Sequence, residues 1–176
     1  LAQMVAGLTI GKKKYAAVED EMKELSLKAS ALRRQLTTLV QRDADSYERV
    51  REAYAMPREP EAAAAARQAA IQDALIFASE IPLETARAAA AVAELAARVA
   101  ERGNTNAATD AAVAALMAEA ACKGAAMNVR VNVASLDSSR ADVGAQLASN
   151  ARACIDAAAV HARLAEAAAE RAMAST

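Results

Sequence analysis

The amino-acid sequence predicts an all-α fold, an antiparallel bundle of about five long helices. Apolar residues make up 55% of the chain and aromatic residues only 2%, so most of the apolar content is alanine, the strongest helix former. Glycine and proline are scarce, with 5 and 3 in 176 residues. A chain of this length forms one apolar core, so residues 1–176 are expected to form a single helical domain.

The first long helix is expected to run from near the lysines of residues 12–14 to about Tyr54. It should end there because Pro57 and Pro60 follow closely, and proline does not continue a helix. Apolar residues recur in this segment at a 4-3-4-3 spacing, which is typical of a helix that packs on other helices at a shallow angle. They are Val18, Met22, Leu25, Ala29, Leu32, Leu36 and Leu39.

A second helix should carry Ile71, Leu75 and Phe77, and Pro82 is expected to kink or stop it before a third helix begins. The apolar residues of that third helix are Leu83, Val92, Leu95 and Val99. Gly103 follows them, so we expect the third helix to end there with a glycine in the left-handed conformation.

The fourth helix is expected to begin within residues 104–110 and to carry Val113, Leu116 and Met117. Residues 127–133 alternate apolar and polar like a strand, but no other segment offers a partner strand, so we interpret them as helix. Asn128 and Asn132 then lie on one face. Two amides on one face either bind a ligand or satisfy each other and nearby backbone.

A fifth helix is expected from about Ala141 to Ala172. An alanine-rich core gains less free energy per residue than one rich in leucine and phenylalanine, so burial in a homodimer would help. The two cysteines, Cys122 and Cys154, lie in helical patterns without metal-ligand spacing. We interpret them as buried thiols of a protein in a reducing compartment, the cytoplasm.

Composition and charge argue against several functional classes. The formal net charge is −1 at pH 7 and the chain has no tryptophan, so we expect no nucleic-acid partner. The apolar start of the chain is too short to cross a membrane, and charges interrupt the alanine-rich runs, so we expect no membrane span. No second histidine or cysteine lies at ligand spacing near His161, so no metal and no bound cofactor is expected.

Residues 8–15, Leu-Thr-Ile-Gly-Lys-Lys-Lys-Tyr, end an apolar stretch with three adjacent ammonium groups. Taken alone, such a triplet is typical of a solvated surface, although it attracts anions. Residues 42–47 read Arg-Asp-Ala-Asp-Ser-Tyr, in which Asp43 lies one turn beyond Leu39 and Tyr47 lies on the same helix face. That position suggests partial burial of Asp43, which would raise its pKa.

The third motif is residues 103–110, Gly-Asn-Thr-Asn-Ala-Ala-Thr-Asp. Asn104, Asn106 or Thr109 can cap the following helix, and Asp110 would lie near the positive end of its dipole. Together the three motifs resemble the cyclodeaminase/cyclohydrolase family of folate enzymes, an all-helical group that acts on one-carbon tetrahydrofolates. Members usually carry a glycine-rich segment before the first helix. It is absent here. Residues 1–5 read as the interior of a helix, with no capping residue and no initiator methionine, so we expect upstream residues in the natural protein.

The resemblance implies a site for a tetrahydrofolate substrate, with no further cofactor. Lys12 and Lys13 would bind the carboxylates of the folate tail, since they match the two basic positions most typical of the family. Asp43 and Asp110 would be the catalytic carboxylates. The remaining substrate-binding candidates are Tyr47, Asn104, Asn128 and Asn132.

Two reactions of this family fit these groups. The preferred one is hydrolysis of 5,10-methenyltetrahydrofolate to 10-formyltetrahydrofolate, because residues 8–15 and the Leu-Arg-Arg segment at residues 32–34 are most similar to free-standing cyclohydrolases. The alternative is cyclodeamination of 5-formiminotetrahydrofolate, which releases ammonia. A third interpretation, from a different class, is a helical interaction module without catalysis. Both enzymatic interpretations require the lysines and the two carboxylates to meet at one pocket.

Overall fold

The structure, a computed structural model that describes residues 1–175, consists of helices and short connecting segments. The five α-helices are α1 (Ala2–Thr9), α2 (Glu19–Ala55), α3 (Glu61–Arg102), α4 (Ala108–Val133) and α5 (Ala141–Ala174). Short 3₁₀ turns at Lys13–Val18, Thr105–Ala107 and Ser138–Arg140 precede α2, α4 and α5. No β-strand occurs within residues 1–175, and the predicted all-α fold is confirmed.

Helices α3, α4 and α5 pack against one another, and α2 packs along α3. The connections between the long helices are short, so successive helices run antiparallel. Much of the core is alanine, and Ala111, Ala115, Ala162 and Ala165 are fully buried. Helix α2 has few contacts with α4, so a groove remains between these two helices, with α3 as its floor.

The predicted 4-3-4-3 spacing of α2 describes its packed face well. Met22, Leu25 and Leu39 are buried, as expected for a helix that lies on a bundle. Leu32 and Leu36, between them, are only half-buried. Leu36 borders the groove on the α4 side, which explains its exposure.

The expectation that Pro82 ends a helix is wrong, because α3 runs without interruption through this residue. Proline lacks the N–H that would bond the carbonyl four residues earlier, here that of Ala78. The side chain of Asn132 on α4 supplies the missing donor, since its Nδ2 donates to the Ala78 carbonyl at 2.8 Å. The predicted second and third helices are therefore one helix, held continuous by a residue 50 positions away in sequence.

The left-handed conformation expected at Gly103 is also wrong. Gly103 ends α3 with φ −83° and ψ −164°, an extended conformation. Glycine is required here by close approach, since a Cβ would lie 2.5 Å from the Val99 carbonyl oxygen and 3.1 Å from Thr9 Oγ1. The left-handed glycine is Gly11, with φ 76°, in the turn after α1.

Helix α4 includes residues 127–133, so the interpretation of their alternating pattern as helix is confirmed. Its large apolar side chains behave differently from expectation, because Val113, Leu116 and Met117 are exposed while alanines occupy the buried face. By length and composition alone, the segment Thr105–Val133 is also apolar enough to cross a membrane. It packs on α3 and α5 as a core helix does, and one such helix is weak evidence for a span.

Candidate functional site

The groove between α2 and α4 contains two clefts that share residues, and a third cleft adjoins them. The central cleft, of about 310 Å³, lies between Asp43 of α2 and Asn128 of α4, with Pro82 and Thr85 of α3 as its floor. A second cleft of about 250 Å³ shares Asp43, Pro82 and Asn128 with it and extends toward Tyr47. A third cleft, of about 440 Å³, shares Leu36 and Val40 with the central one and continues in the opposite direction, between α1, α2 and α3. The central cleft is within the size range of small-molecule sites.

Four of the predicted site residues meet in this groove: Asp43, Tyr47, Asn128 and Asn132. Asp43 is exposed in the single chain, so the partial burial expected for it is not found. Its side chain forms no ion pair within residues 1–175, which leaves both carboxylate oxygens available. One residue before it, Arg42 forms a bidentate ion pair with Glu84 that joins α2 to α3, and the Glu84 carboxylate raises the pKa of Arg42.

The two amides of α4 differ in what they can offer a ligand. Asn132 uses its Nδ2 on the Ala78 carbonyl, so only its Oδ1 acceptor remains. Asn128 forms no side-chain hydrogen bond within the described part of the chain and keeps both its donor and its acceptor. Tyr47 is 64% exposed, which leaves its ring accessible at the edge of the groove.

The lysine motif lies elsewhere, where the turn after α1 meets the start of α4. Lys12 and Lys13 are exposed and form no ion pair among residues 1–175. Lys14 Nζ donates to Thr105 Oγ1 at 3.4 Å. The Tyr15 hydroxyl accepts from the Thr105 N–H at 3.0 Å and shares a 3.2 Å hydrogen bond with its side chain, which lowers the pKa of Tyr15.

Asn104 belongs to this lysine end of the bundle and is already engaged by the protein. Its Oδ1 accepts from the Asn106 N–H at 3.1 Å and caps the 3₁₀ turn Thr105–Ala107 that leads into α4. Helix α4 itself has no side-chain cap, so the capping expected for this segment is found only at the turn. Its Nδ2 donates to the Leu8 carbonyl at 3.2 Å, and its own N–H donates to Thr9 Oγ1 at 2.8 Å. These bonds tie α1 to the segment between α3 and α4.

Asp110 lies in the first turn of α4, as predicted from its motif. It precedes Asn128 by eighteen residues, about 27 Å along the helix axis. Within one chain, therefore, Asp110 and the lysines lie at one end of α4, and Asp43 with the amides lies toward the other. The expected single pocket does not form from one copy of the chain.

Several residues that line these clefts were not among the site residues predicted from the sequence. Arg33 and Thr37 of α2 and Gln3 of α1 line the third cleft, and Thr85 lines the central one. Arg33 and Thr37 lie on the same face of α2 as Val40, so the α2 pattern carried a usable signal. Gln3 and Thr85 lie on other helices and could be placed only by the fold.

Outside the groove, charged residues of the described chain form ion pairs, such as those of Glu21 with Arg98 and Arg102, but no candidate metal site. No three His, Cys, Asp or Glu side chains within residues 1–175 lie together as metal ligands. Both cysteines are free thiols, with Cys122 buried and Cys154 half-buried. Burial raises the pKa of Cys122 to about 11 and also raises the pKa of Cys154.

Comparison with known proteins identifies the family of this chain. The sequence model of the family described as formiminotransferase-cyclodeaminase matches residues 1–151. The chain belongs to the formiminotransferase-cyclodeaminase family. A methenyltetrahydrofolate cyclohydrolase from Methylorubrum extorquens is 40% identical over 137 residues, which cover 78% of this chain and 66% of that protein. The chain thus spans slightly less than two thirds of its curated relative.

The fold of this family member matches a solved structure. The crystal structure of formiminotetrahydrofolate cyclodeaminase from Thermotoga maritima superposes with a TM-score of 0.81 at 25% sequence identity. The match covers 96% of this chain and 79% of that one. The resemblance seen in the sequence motifs is confirmed, as is the helical bundle.

Proposed function

We propose that this chain carries the catalytic groove of a methenyltetrahydrofolate cyclohydrolase. The observation that carries the proposal is that the exposed Asp43 carboxylate and the Asn128 amide, which has no hydrogen-bond partner among residues 1–175, line the same cleft. Pro82 and Thr85 form the floor of that cleft. The relative from Methylorubrum extorquens, which bears that name, supports the choice of reaction. The substrate, 5,10-methenyltetrahydrofolate, is a cation with an electrophilic carbon between two nitrogens, and a carboxylate suits both properties.

In this reaction Asp43 acts first as an electrostatic partner and then as a base. Its negative charge offsets the charge of the methenyl cation. Its carboxylate accepts a proton from water as the water oxygen bonds to the methenyl carbon, which gives a neutral tetrahedral adduct. The bond from that carbon to N5 then breaks, the adduct oxygen becomes a formyl carbonyl, and N5 receives a proton. The net products are 10-formyltetrahydrofolate and one proton.

The neighbouring residues bind and orient the substrate in this proposal. Asn128, with both donor and acceptor available, holds the attacking water or the adduct oxygen. Tyr47 stacks on the flat heterocycle, since its ring is accessible at the edge of the groove. Asn132 contributes its Oδ1 acceptor, because its donor is held by the Ala78 carbonyl.

The proposed functional form is a cytoplasmic homodimer without nucleic-acid or membrane partners. Two free thiols fit a reducing compartment. The residues near the start of α4 lie too far from the Asp43 groove of their own chain to reach it; they are Lys12, Lys13, Asn104 and Asp110. A second copy of the chain would bring them to that groove. In a dimer, Lys12 and Lys13 would bind the carboxylates of the folate tail and Asp110 would be the second catalytic carboxylate.

The test is the spectrophotometric decay of 5,10-methenyltetrahydrofolate, corrected for spontaneous hydrolysis. We expect acceleration by the protein and a loss of about 10²-fold or more in the Asp43→Asn variant. Asp45→Asn is the matched control, because Asp45 is exposed on the same helix and bonds only Gln41, outside the groove. Equal activity of the two variants would remove Asp43 from the mechanism, and no acceleration by the wild type would remove the cyclohydrolase proposal.

The second candidate reaction is cyclodeamination of 5-formiminotetrahydrofolate. It is favoured by the similarity to the Thermotoga maritima structure. There N10 attacks the formimino carbon and ammonia leaves, which requires a general acid for the leaving amine, a role that Asp43 or Asp110 would take. Ammonia release with this substrate, faster than methenyl hydrolysis, would favour it. A thermal shift with saturating folate separates both reactions from a non-catalytic module, since a ligand that binds the native state must stabilise it.

A further inference from the structure

Helix α4 carries a stripe of apolar residues that residues 1–175 leave largely exposed. The four large members, Val113, Met117, Met127 and Val131, are 45%, 63%, 61% and 66% exposed. With Ala120 and Gly124 between them, the six residues follow one another at a 4-3-4-3-4 spacing, which keeps them on one face of the helix over about 27 Å. The stripe consists of Val113, Met117, Ala120, Gly124, Met127 and Val131, and none of these is charged.

The stripe is the same when it is followed from either end. Valine, methionine and a small residue come first, and a small residue, methionine and valine follow, at identical spacing. A twofold axis relates antiparallel copies of one helix, so each residue meets the residue at the mirrored position. Antiparallel pairing here places Val113 against Val131 of the partner subunit, Met117 against Met127 of the partner subunit, and Ala120 against Gly124 of the partner subunit.

Gly124 at the centre of the stripe is an independent observation. Glycine inside a helix costs stability relative to alanine. A Cβ at this position would meet nothing within 4 Å, so the packing of its own chain gives no reason for glycine. Close approach of a second helix does give one, because two small residues at the crossing let the backbones come together.

We propose that a second copy of this chain packs antiparallel on the α4 stripe and that Asp110 of the partner subunit completes the Asp43 groove. The position of Asp110 supports this. It precedes Asn128 by eighteen residues, five full helical turns, so both residues lie on the same side of α4. When the twofold axis is parallel to the direction in which Asp110 and Asn128 face, the partner's α4 runs the opposite way. Its Asp110 side still faces the same direction as Asn128 of the first copy.

The pairing determines where the partner's carboxylate lies. Opposite residues are those mirrored about the centre of the stripe, so Asp110 of the partner subunit falls level with Ala134, beside Asn132 at one end of the groove. The contact of Lys14 with Thr105 keeps the lysines close to the start of α4. The same operation therefore carries the partner's Lys12 and the partner's Lys13 toward the Tyr47 end. The catalytic role of the completed groove rests on the proposed function; the pairing itself does not.

A cysteine cross-linking experiment tests the register without any assay of function. The full chain is prepared as two single variants, Met117→Cys and Met127→Cys, and oxidised separately and after mixing. Only the mixture should form a disulfide-linked dimer, because each new cysteine lies about 15 Å along the axis from its own copy, beyond the reach of a disulfide. Cross-linking of either variant alone, or none in the mixture, would overturn the pairing.

Complementation tests whether the partner contributes to the site. Asp43→Asn and Asp110→Asn proteins are each expected to be inactive. After subunit exchange, a mixed dimer holds one site with both carboxylates intact, so an equal mixture should recover about a quarter of the wild-type rate. If the mixture recovers no activity although the cross-linking succeeds, the shared site is wrong and the dimer interface still stands. An inactive wild type would remove the proposed reaction, and cross-linking would still decide the pairing.

A third measurement addresses the central glycine. Gly124→Leu should leave the subunit folded, since its side chain would enter open space, and should convert the dimer to a monomer by light scattering. Gly7→Leu is the matched control, because Gly7 is also an exposed helical glycine with nothing within 4 Å. Gly124→Leu dimers as stable as those of the control, or a monomeric wild type, would contradict the proposal.

Discussion

The hydrogen bond from Asn132 to the Ala78 carbonyl makes a quantitative prediction about α3. Ala78 is 7% exposed, and Pro82 cannot bond its carbonyl. Asn132→Ala removes a 2.8 Å hydrogen bond and leaves a buried acceptor without a partner. The lost bond is worth about 1 kcal/mol and the orphaned carbonyl about 1–3 kcal/mol. Because Asn132 is half-buried and water can partly replace it, we expect a loss of about 2 kcal/mol in the free energy of unfolding.

The Pro82→Ala background isolates this interaction. Alanine at that position restores a backbone N–H for the Ala78 carbonyl, so Asn132→Ala should then cost only about 0.5 kcal/mol, a coupling of about 1.5 kcal/mol. Urea unfolding followed by circular dichroism at fixed protein concentration measures all four proteins. Asn128→Ala is the control and should change stability by less than about 0.5 kcal/mol. Equal costs of Asn132→Ala in both backgrounds would refute the reasoning.

Two further predictions concern buried positions. Gly103→Ala should destabilise the protein by about 1–3 kcal/mol in the same unfolding assay, since the new Cβ would lie 2.5 Å from a carbonyl oxygen; a change below about 0.5 kcal/mol would show that the segment moves freely. Cys122, with a pKa raised to about 11, should resist alkylation at pH 8 unless the protein is unfolded. Because the pKa of this thiol is higher in the native state than in the unfolded state, the free energy of unfolding should fall as the pH rises from about 9 to about 11.

The sequence predicted α2 correctly, because the signal for this helix lies within its own segment. The spacing along α2 identified Met22, Leu25 and Leu39 as buried, because a helical period needs no knowledge of other segments. The course of α3 at Pro82 could not be predicted in this way. The donor that compensates for proline is Asn132, and only the packed bundle brings it to Ala78.

The sequence named candidate site residues without showing which of them lie together. The motifs singled out Asp43, Asn128 and Asn132, which do share a groove. They also singled out Asp110 and the lysines, which lie at the other end of α4. Sequence alone gives no distance between segments, so it could not separate these two groups. The partial burial expected for Asp43 was also wrong, because Leu39 and Asp43 both line the central cleft but only Leu39 is buried.

The alanine core limits how this bundle can change over evolution. Four alanines of this core are fully buried: Ala111, Ala115, Ala162 and Ala165. Because alanine side chains are small, the helices pack closely at these positions, and a larger side chain would push two helices apart. Substitutions by valine there should each cost about 1–3 kcal/mol. Divergence among related chains should therefore accumulate on the outer faces of the helices, while these positions remain small.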